Sequence, residues 1–343
     1  MANTLAEGDW QTLLWRVKEG KCTPFLGAGA CYPALPLGTE IAQKWAQQYG
    51  YPLGDCSDLA RVAQFLAVQR DPMFPKEEIL RGFFRDVNPP DFTQPDEPHS
   101  VLANLPLPVY MTTNYDDFMV RALKTRNKDP RRELCRWNKY IKGQPSVLSS
   151  EAGFDPTPAN PVVFHLHGHS EVPESLVLAE GDYLDFLINV SRDGELLPHR
   201  IQRALSGASP LFIGYSLEDW TFRVLFRGLV TSTEESLRRL SVTVQLPPPR
   251  LLDEIHLSNG DRLSGKIIEE SQTSIALRGE ATGPISVSKH LVAYIVHGDD
   301  KEERTRASQQ EYLDKYFRTL DVRVYWGTAR EFAAELGRRW REF

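Results

Sequence analysis

The chain has 343 residues, 41% hydrophobic and 25% charged, ordinary proportions for one large globular domain or one large and one small domain. Its net charge of −6 and its pI near 5.8 argue against a dedicated nucleic-acid surface. No window approaches the ~18 apolar residues of a spanning helix, and the opening MANTLAEGDW lacks the basic and apolar regions of a secretory leader. Cys22, Cys31, Cys56 and Cys135 form no CxxC pair and read as reduced thiols, so a cytoplasmic protein without membrane association is expected.

In chain order, Trp10, Leu13, Leu14 and Val17 share one face of a helix that runs to Lys18. A strand ending at Leu26 follows, then a turn with two glycines, Gly27-Ala28-Gly29, and a helix from Leu37 to Gln48. Leu59, Val62, Phe65 and Leu66 mark another helix, and Lys76 to Phe84 a further one. The proline- and aspartate-rich stretch Val87 to Pro98 reads as a loop. Strands are expected at Val109–Thr113, Val162–Leu166, Pro210–Gly214 and Leu240–Leu246. Helices are expected at Asp116–Leu123, Glu180–Val190 and Arg200–Leu205, with another through Trp220 and Leu225. Strand, loop and helix in repeated order indicate an α/β fold: a Rossmann-like parallel sheet with helices on both faces.

Pro247-Pro248-Pro249 ends that alternation. Short strands follow around the hairpin signal Asn259-Gly260-Asp261, at Ile255–Leu257, Leu263–Ile268, Ser274–Leu277, Ile285–Val287 and Val292–Val296, enough for a small, bent β-barrel. A charged linker from Asp299 to Arg306, a helix from Gln309 to Phe317, the strand Val322–Tyr325 and the helix Thr328–Trp340 read as a return to the α/β domain. The expected division is therefore 1–246, an insertion at 247–304, and 305–343.

Five strand ends carry a polar or glycine-bearing motif, and such loops together line one crevice. At Gly27 and Gly29, no Cβ stands between the backbone and a phosphate or ribose, although a strand-to-helix turn needs glycine too. The third glycine of GxGxxG and the Lys-Ser/Thr of a P-loop are both missing. Asn114 is a turn former or an amide for a ribose hydroxyl or water, and Asp116 a helix cap or a site residue. His165, His167 and His169 alternate, as a metal-binding strand face would; alternatively, His167 faces the crevice as a general base. The amides of Gly214-Tyr215-Ser216 suit phosphate or ribose oxygens, as well as a plain turn, and Gly327-Thr328 is a fifth loop of the kind.

Together, GAGAC at Gly27 to Cys31, TNYD at Thr113 to Asp116, LHG at Leu166 to Gly168, GYSLED at Gly214 to Asp219 and the closing YWGTAREF resemble the sirtuin-like NADase domain of bacterial anti-phage defence proteins. The resemblance covers residues 1 to about 246 and about 305 to 343. It implies NAD+ as the substrate, held by Gly27, Ala28, Gly29, Ala30 and Cys31 at the pyrophosphate and ribose. Asn114 and Asp116 would hold the nicotinamide ribose and carboxamide. Gly214, Tyr215 and Ser216 would contact ribose-phosphate oxygens, and Gly327 and Thr328 the adenine side. His167 matches the catalytic histidine and Asn114 its partner in catalysis. Protein-deacylating sirtuins carry a four-cysteine zinc module after LHG, whereas this chain has no cysteine after Cys135, so no zinc is expected and deacylation is disfavoured.

The expected activity is an NAD+ glycohydrolase that depletes NAD+ in anti-phage defence. The alternatives are a module that senses NAD or a derived nucleotide without turnover, an NAD-dependent protein deacylase, and a metal-dependent hydrolase built on the three histidines. The inserted segment resembles a small Sm-like barrel, carried by Ile255 to Asp261 and Gly265-Lys266-Ile267. Its exposed strand edges favour a homo-oligomer formed through the barrel and helical faces, with a plain stabilising insert as the other reading. RNA binding has only Tyr294 as a stacking residue. A motor ATPase or a phage-derived activator is the implied partner.

Overall fold

The computed structural model describes residues 5–85, 87–149, 153–192, 197–216, 240–246, 253–278, 284–296 and 310–343. The chain divides into two compact units, Met1–Gln245 with Leu320–Phe343, and Leu246–Thr319. The second unit thus extends past residue 304, the bound expected from sequence, and takes in a helix over residues 310–318. The expected helix through Trp220 and Leu225 and the linker Asp299 to Arg306 lie outside the described residues.

The first unit is built on a parallel sheet. Its strands are β1 (Cys22–Leu26), β2 (Val109–Thr112), β3 (Arg131–Leu134), β4 (Val162–His165), β5 (Ser209–Ile213), β6 (Ser241–Gln245) and, after the second unit, β12 (Val322–Trp326). They lie in the order β12-β6-β5-β1-β2-β4-β3, and every pairing is parallel. β1, β2, β4 and β6 are buried at every position, as strands covered on both faces must be. From β1 the chain first builds outward through β2, β3 and β4, then returns to β5 on the other side. The sheet reverses between β1 and β5, and a parallel sheet binds ligands outside the strand ends at such a point.

Two elements escape the sequence reading. β3 is a short edge strand of charged residues, Arg-Arg-Glu-Leu, with no apolar run to reveal it. Helix α5, Pro98–Ala103, begins where the Val87 to Pro98 loop was expected to end. Glu97 caps it by accepting from the Ser100 amide (2.6 Å), and Pro98 occupies the first turn, where its missing N–H is harmless. The expected helix from Lys76 continues past Ile79 as a wider π-type turn over Leu80–Phe84.

Helix α1 (Glu7–Lys18) meets the C-terminal helix (Ala329–Glu342) through one aromatic anchor. Trp10, fully buried, stacks on Phe332 at 5.5 Å and meets the edge of Tyr325 at 6.2 Å, while the Arg339 guanidinium lies 4.9 Å over its ring. Arg339 also pairs with Glu7 at 2.8 Å.

In the second unit, β7 (Asp253–Leu257), β8 (Arg262–Glu270), β9 (Ser274–Arg278), β10 (Pro284–Ser288) and β11 (Val292–Val296) form an antiparallel sheet in the order β10-β9-β8-β7-β11. β8 belongs to both halves of this sheet: it pairs with β7 up to Gly265 and with β9 from Lys266 onward, with a register shift between Ile267 and Glu269. Gly265 sits at the crossover, and a Cβ there would stand 2.7 Å from the Arg278 carbonyl oxygen. The bend wraps the sheet around Ile255, Ile275, Leu277 and Val287. Among the described residues, no helix is long and apolar enough to cross a membrane.

Truncating Trp10 to Ala removes the ring that joins the first and last helices, at a cost of about 3–5 kcal/mol. Urea unfolding of the variant is expected to show a correspondingly lower midpoint; a loss below about 1 kcal/mol contradicts this anchoring role.

Candidate functional site

The loops after β1 and β5 interlock at the reversal point. The Gly27 amide donates to the Ile213 carbonyl (2.9 Å) and the Gly29 amide to the Gly214 carbonyl (3.0 Å). A Cβ at Gly27 would lie 2.7 Å from the Gly214 oxygen, and one at Gly29 would lie 3.0 Å from the Gly214 Cα. Gly214 itself has φ +81°, and a Cβ there would fall 2.2 Å from the Ala30 nitrogen. The three glycines are therefore required by each other. The backbone approach that Gly27 and Gly29 allow is filled, on this side, by the neighbouring loop. Ala30 and Cys31 donate their amides to Gly27 and Ala28 within the turn, which leaves the exposed Ala28 amide as the turn's open donor among the described residues.

Tyr215 extends the lock to β2. Its hydroxyl donates to the Leu26 carbonyl (3.1 Å) and accepts from Thr113 Oγ1 (3.2 Å), while Ser216 is exposed. Asn114 is held from three sides. Its backbone amide donates to Thr112 Oγ1 (2.9 Å), and its side-chain Nδ2 donates to the Gly27 carbonyl (2.9 Å) and to Cys31 Sγ (3.1 Å). Gly27 O can only accept, so it fixes the amide orientation. Asn114 Oδ1 is left without a partner among the described residues, in a half-buried position at the strand end.

Beneath Asn114 lies a polar cluster. Cys31 Sγ donates to Asp116 Oδ2 (3.2 Å) and lies 3.8 Å from His99 Nε2, while His99 Nδ1 is 2.7 Å from Glu97 Oε1. Asp116 also accepts from the Phe118 amide (2.9 Å) with its other oxygen, so it does cap the first turn of α6 (Phe118–Thr125). Burial raises the Asp116 carboxyl above its ordinary range, against the opposing pull of His99. Burial, then Asp116, raises the Cys31 thiol well above its own. Glu97 and His99 were not singled out from sequence. The readable signal is the helix start itself, an acid followed by Pro at 97–98, which places His99 two residues after a buried cap.

The LHG segment turns away from the strand after His165. Gly168 has φ +89°, and a Cβ there would come within 2.3 Å of the Ser175 oxygen. His167 is only 6% exposed, and its ring meets Tyr183 at 5.4 Å and Phe186 at 5.0 Å, both edge-on, from helix α7 (Glu180–Arg192). No described side chain hydrogen-bonds that ring, and burial pushes its pKa down to about 3. His165 donates through Nδ1 to the Asn114 carbonyl (3.2 Å), leaving Nε2 buried without a partner. Its pKa is also about 3, through burial and then the neighbouring His169. Val177 joins the two loops: its carbonyl accepts from Tyr115 OH (2.6 Å) and its amide donates to the His167 carbonyl (3.0 Å).

The metal-binding face of three histidines does not form. His165 and His169 meet edge to face at 4.9 Å, while the Arg132 guanidinium lies 2.9 and 3.1 Å from the two His169 ring nitrogens. His167 packs instead on α7, because the strand ends at His165 and the alternation is lost. Thr328 is engaged in capping: its Oγ1 accepts from the Glu331 amide (3.1 Å), and its own amide donates to Glu331 Oε2 (2.7 Å). Gly327 donates to the Gln245 carbonyl (2.8 Å). β12 lies three strands from β1, about 14 Å across the sheet, although the helix that Thr328 caps contacts the Ala28–Ala30 turn. The structure thus gathers Gly27, Ala28, Gly29, Ala30, Cys31, Asn114, Asp116, Gly214 and Tyr215 into one hydrogen-bonded set. His167 is tied to it through Val177, and Gly327 and Thr328 stand at its margin.

Residues 108–260 match the family model described as "SIR2-like domain". The match includes Asn114, Asp116, His167 and Gly214–Ser216, and the Gly27 turn precedes it. The chain is also 28% identical over 233 residues to NAD(+) hydrolase ThsA of Bacillus cereus (strain MSX-D12), across 65% of this chain and 43% of that protein. It is 27% identical over 208 residues to NAD(+) hydrolase ThsA of Acinetobacter baumannii (strain 532279), across 59% and 38% respectively. The aligned stretch of the chain spans less than half the length of these curated relatives.

His165 and His167 are neutral in the folded protein down to about pH 3, whereas in the unfolded chain each takes up a proton near pH 6.5. Their contribution to stability is therefore full above pH 6.5 and is lost as pH falls from 6.5 towards 3, by about 1 kcal/mol per pH unit for each histidine. Urea midpoints measured at pH 7.5, 6 and 5 are expected to fall, and the fall should shrink in His165→Asn; equal slopes in both proteins refute the assignment.

Proposed function

We propose that the SIR2-like unit hydrolyses NAD+ to nicotinamide and ADP-ribose, as an anti-phage defence effector that depletes cellular NAD+. The observation that carries this reading is the locked Asn114 amide, with its Nδ2 committed to Gly27 and Cys31 and its Oδ1 open at the reversal point of the sheet. The names of the relatives, NAD(+) hydrolase, support the same substrate.

In this reaction the bond between ribose C1′ and the nicotinamide ring nitrogen breaks, and its electron pair returns to the ring. Nicotinamide leaves neutral, so no general acid is required. Water adds to C1′ and one proton is released. Asn114 Oδ1 holds the ribose hydroxyl or the incoming water, and its fixed orientation means little reorganisation is needed at the transition state. The Ala28 amide and the Gly214–Ser216 loop receive phosphate or ribose oxygens, and the Gly27–Cys31 turn forms the wall beside them. Asp116 receives the carboxamide side. Gly327 and Thr328 stand on the adenine side. His167, neutral between Tyr183 and Phe186, accepts the proton. A base with a pKa near 3 is weak, but the oxocarbenium-like carbon makes the approaching water much more acidic, so a weak base suffices.

Purified Asn114→Ala and His167→Ala are each expected to release nicotinamide about 100-fold to 10,000-fold more slowly than the parent. Undiminished release in both variants rejects the assignment. Tight NAD+ binding with no turnover in the parent would favour a sensing module.

We also propose that the second unit is an Sm-like assembly module. Its strand order, the bent β8 and the exposed Ile285, Leu291 and Tyr294 near its edge strands support this reading. Through it and the helical faces the chain forms a homo-oligomer that answers to a motor ATPase or a phage-derived activator. Removing residues 251–298 is expected to reduce the mass in solution to that of one chain, and an unchanged oligomer rejects the role.

A further inference from the structure

Cys31 Sγ, His99 Nε2 and an Asp116 carboxylate oxygen lie within 4.8 Å of one another, and all three residues are buried, at 2%, 1% and 7% exposure. This is the one such group of three potential ligands among the described residues. It is unrelated to the four-cysteine module of deacylating sirtuins, whose absence led to the expectation of no zinc. One thiol, one imidazole and one carboxylate are an ordinary donor set for zinc.

The spacing fits. Four ligands at zinc distances of 2.0–2.3 Å in a tetrahedron stand about 3.3–3.6 Å apart. The Sγ–Oδ2 separation is 3.2 Å and the Sγ–Nε2 separation 3.8 Å, on either side of that range. The imidazole is also aimed. Glu97 Oε1 engages His99 Nδ1 at 2.7 Å, and the other Glu97 oxygen is held by the Ser100 amide at 2.6 Å. A carboxylate on one ring nitrogen fixes the tautomer, leaves the other nitrogen bare as an acceptor, and raises its basicity toward a metal. A histidine that served packing alone has no need for its free nitrogen to point at a thiol and a carboxylate.

We propose that Cys31, His99 and Asp116 form a thiolate–imidazole–carboxylate site for one divalent ion of the zinc class, oriented by Glu97. The Asn114 amide Nδ2 contacts the same sulfur at 3.1 Å. On binding, the sulfur–hydrogen bond breaks and a sulfur–metal bond forms. The thiol proton now shared with Asp116 leaves to solvent, one per ion. The site shares Cys31 and Asp116 with the NAD+ pocket proposed above, and it is tested without NAD+.

Titration of the full chain with Co2+ is expected to give one equivalent bound, with a thiolate-to-cobalt charge-transfer band in the near-ultraviolet. The band should survive in Cys56→Ala and vanish in Cys31→Ala. In Glu97→Gln the affinity should fall about 10-fold to 100-fold, and in His99→Gln by at least as much. X-ray absorption of the Zn2+-loaded parent should show one sulfur at about 2.3 Å with nitrogen and oxygen at about 2.0 Å, a result that needs no variant to fold. No charge-transfer band in the parent, a band of unchanged strength in Cys31→Ala, or a zinc shell without sulfur overturns the proposal.

Discussion

At the point where the sheet reverses, the turn after β1 and the turn after β5 occupy each other's side-chain space. A Cβ at Gly27, Gly29 or Gly214 would enter the backbone of the opposite loop, so the two turns can exist only as a pair. Everything in the candidate site hangs from that pair. The Gly27 carbonyl, held in place by it, orients the Asn114 amide, and Tyr215, leaving the same loop, pins the ends of β1 and β2 together. A crevice floor made of main chain cannot relax when a ligand arrives, because its atoms are already in van der Waals contact on the far side.

The two ends of the site differ in how they are wetted. On the Asn114 side, polar groups are stacked in depth, from the amide through Cys31 and Asp116 to His99 and Glu97, and each is satisfied by the next. On the His167 side, an imidazole stands against two aromatic edges with no hydrogen-bonding side chain. One side favours charge and directed donors, and the other excludes water and keeps its histidine neutral. A substrate with a polar sugar and a flat, cationic ring suits this asymmetry.

Much of this was readable in the chain. The apolar runs ending at Leu26, Thr112, His165 and Ile213 are strands because all-buried parallel strands need no alternation, and the motifs after them do meet. What the sequence hid was local exchange of roles. The period-2 spacing of His165, His167 and His169 suggested a common face, but the strand stops at the first of them and Gly168 turns the chain. β3 carries two arginines and a glutamate, whose pairings with His169, Glu171 and Arg136 replace the apolar burial a strand usually advertises. Glu97 lies in the segment whose composition marks it as loop and His99 just after it, and only the packing beneath Cys31 gives them a purpose. The glycine turn was legible as a turn, whereas its partner across the sheet was not, since nothing in a one-dimensional pattern links residue 27 to residue 214.

Trp10 has a consequence for how this molecule comes into being. Its ring is sandwiched by residues more than 300 positions later in the chain, with Phe332, Tyr325 and Arg339 all closing over it. A ribosome-bound chain therefore holds an open apolar face on helix α1 until residues 325–339 have been made. The first unit cannot close before the second has been synthesised in full. For a protein proposed to consume a central cofactor, the order of synthesis itself delays the finished core until Arg339 has been made.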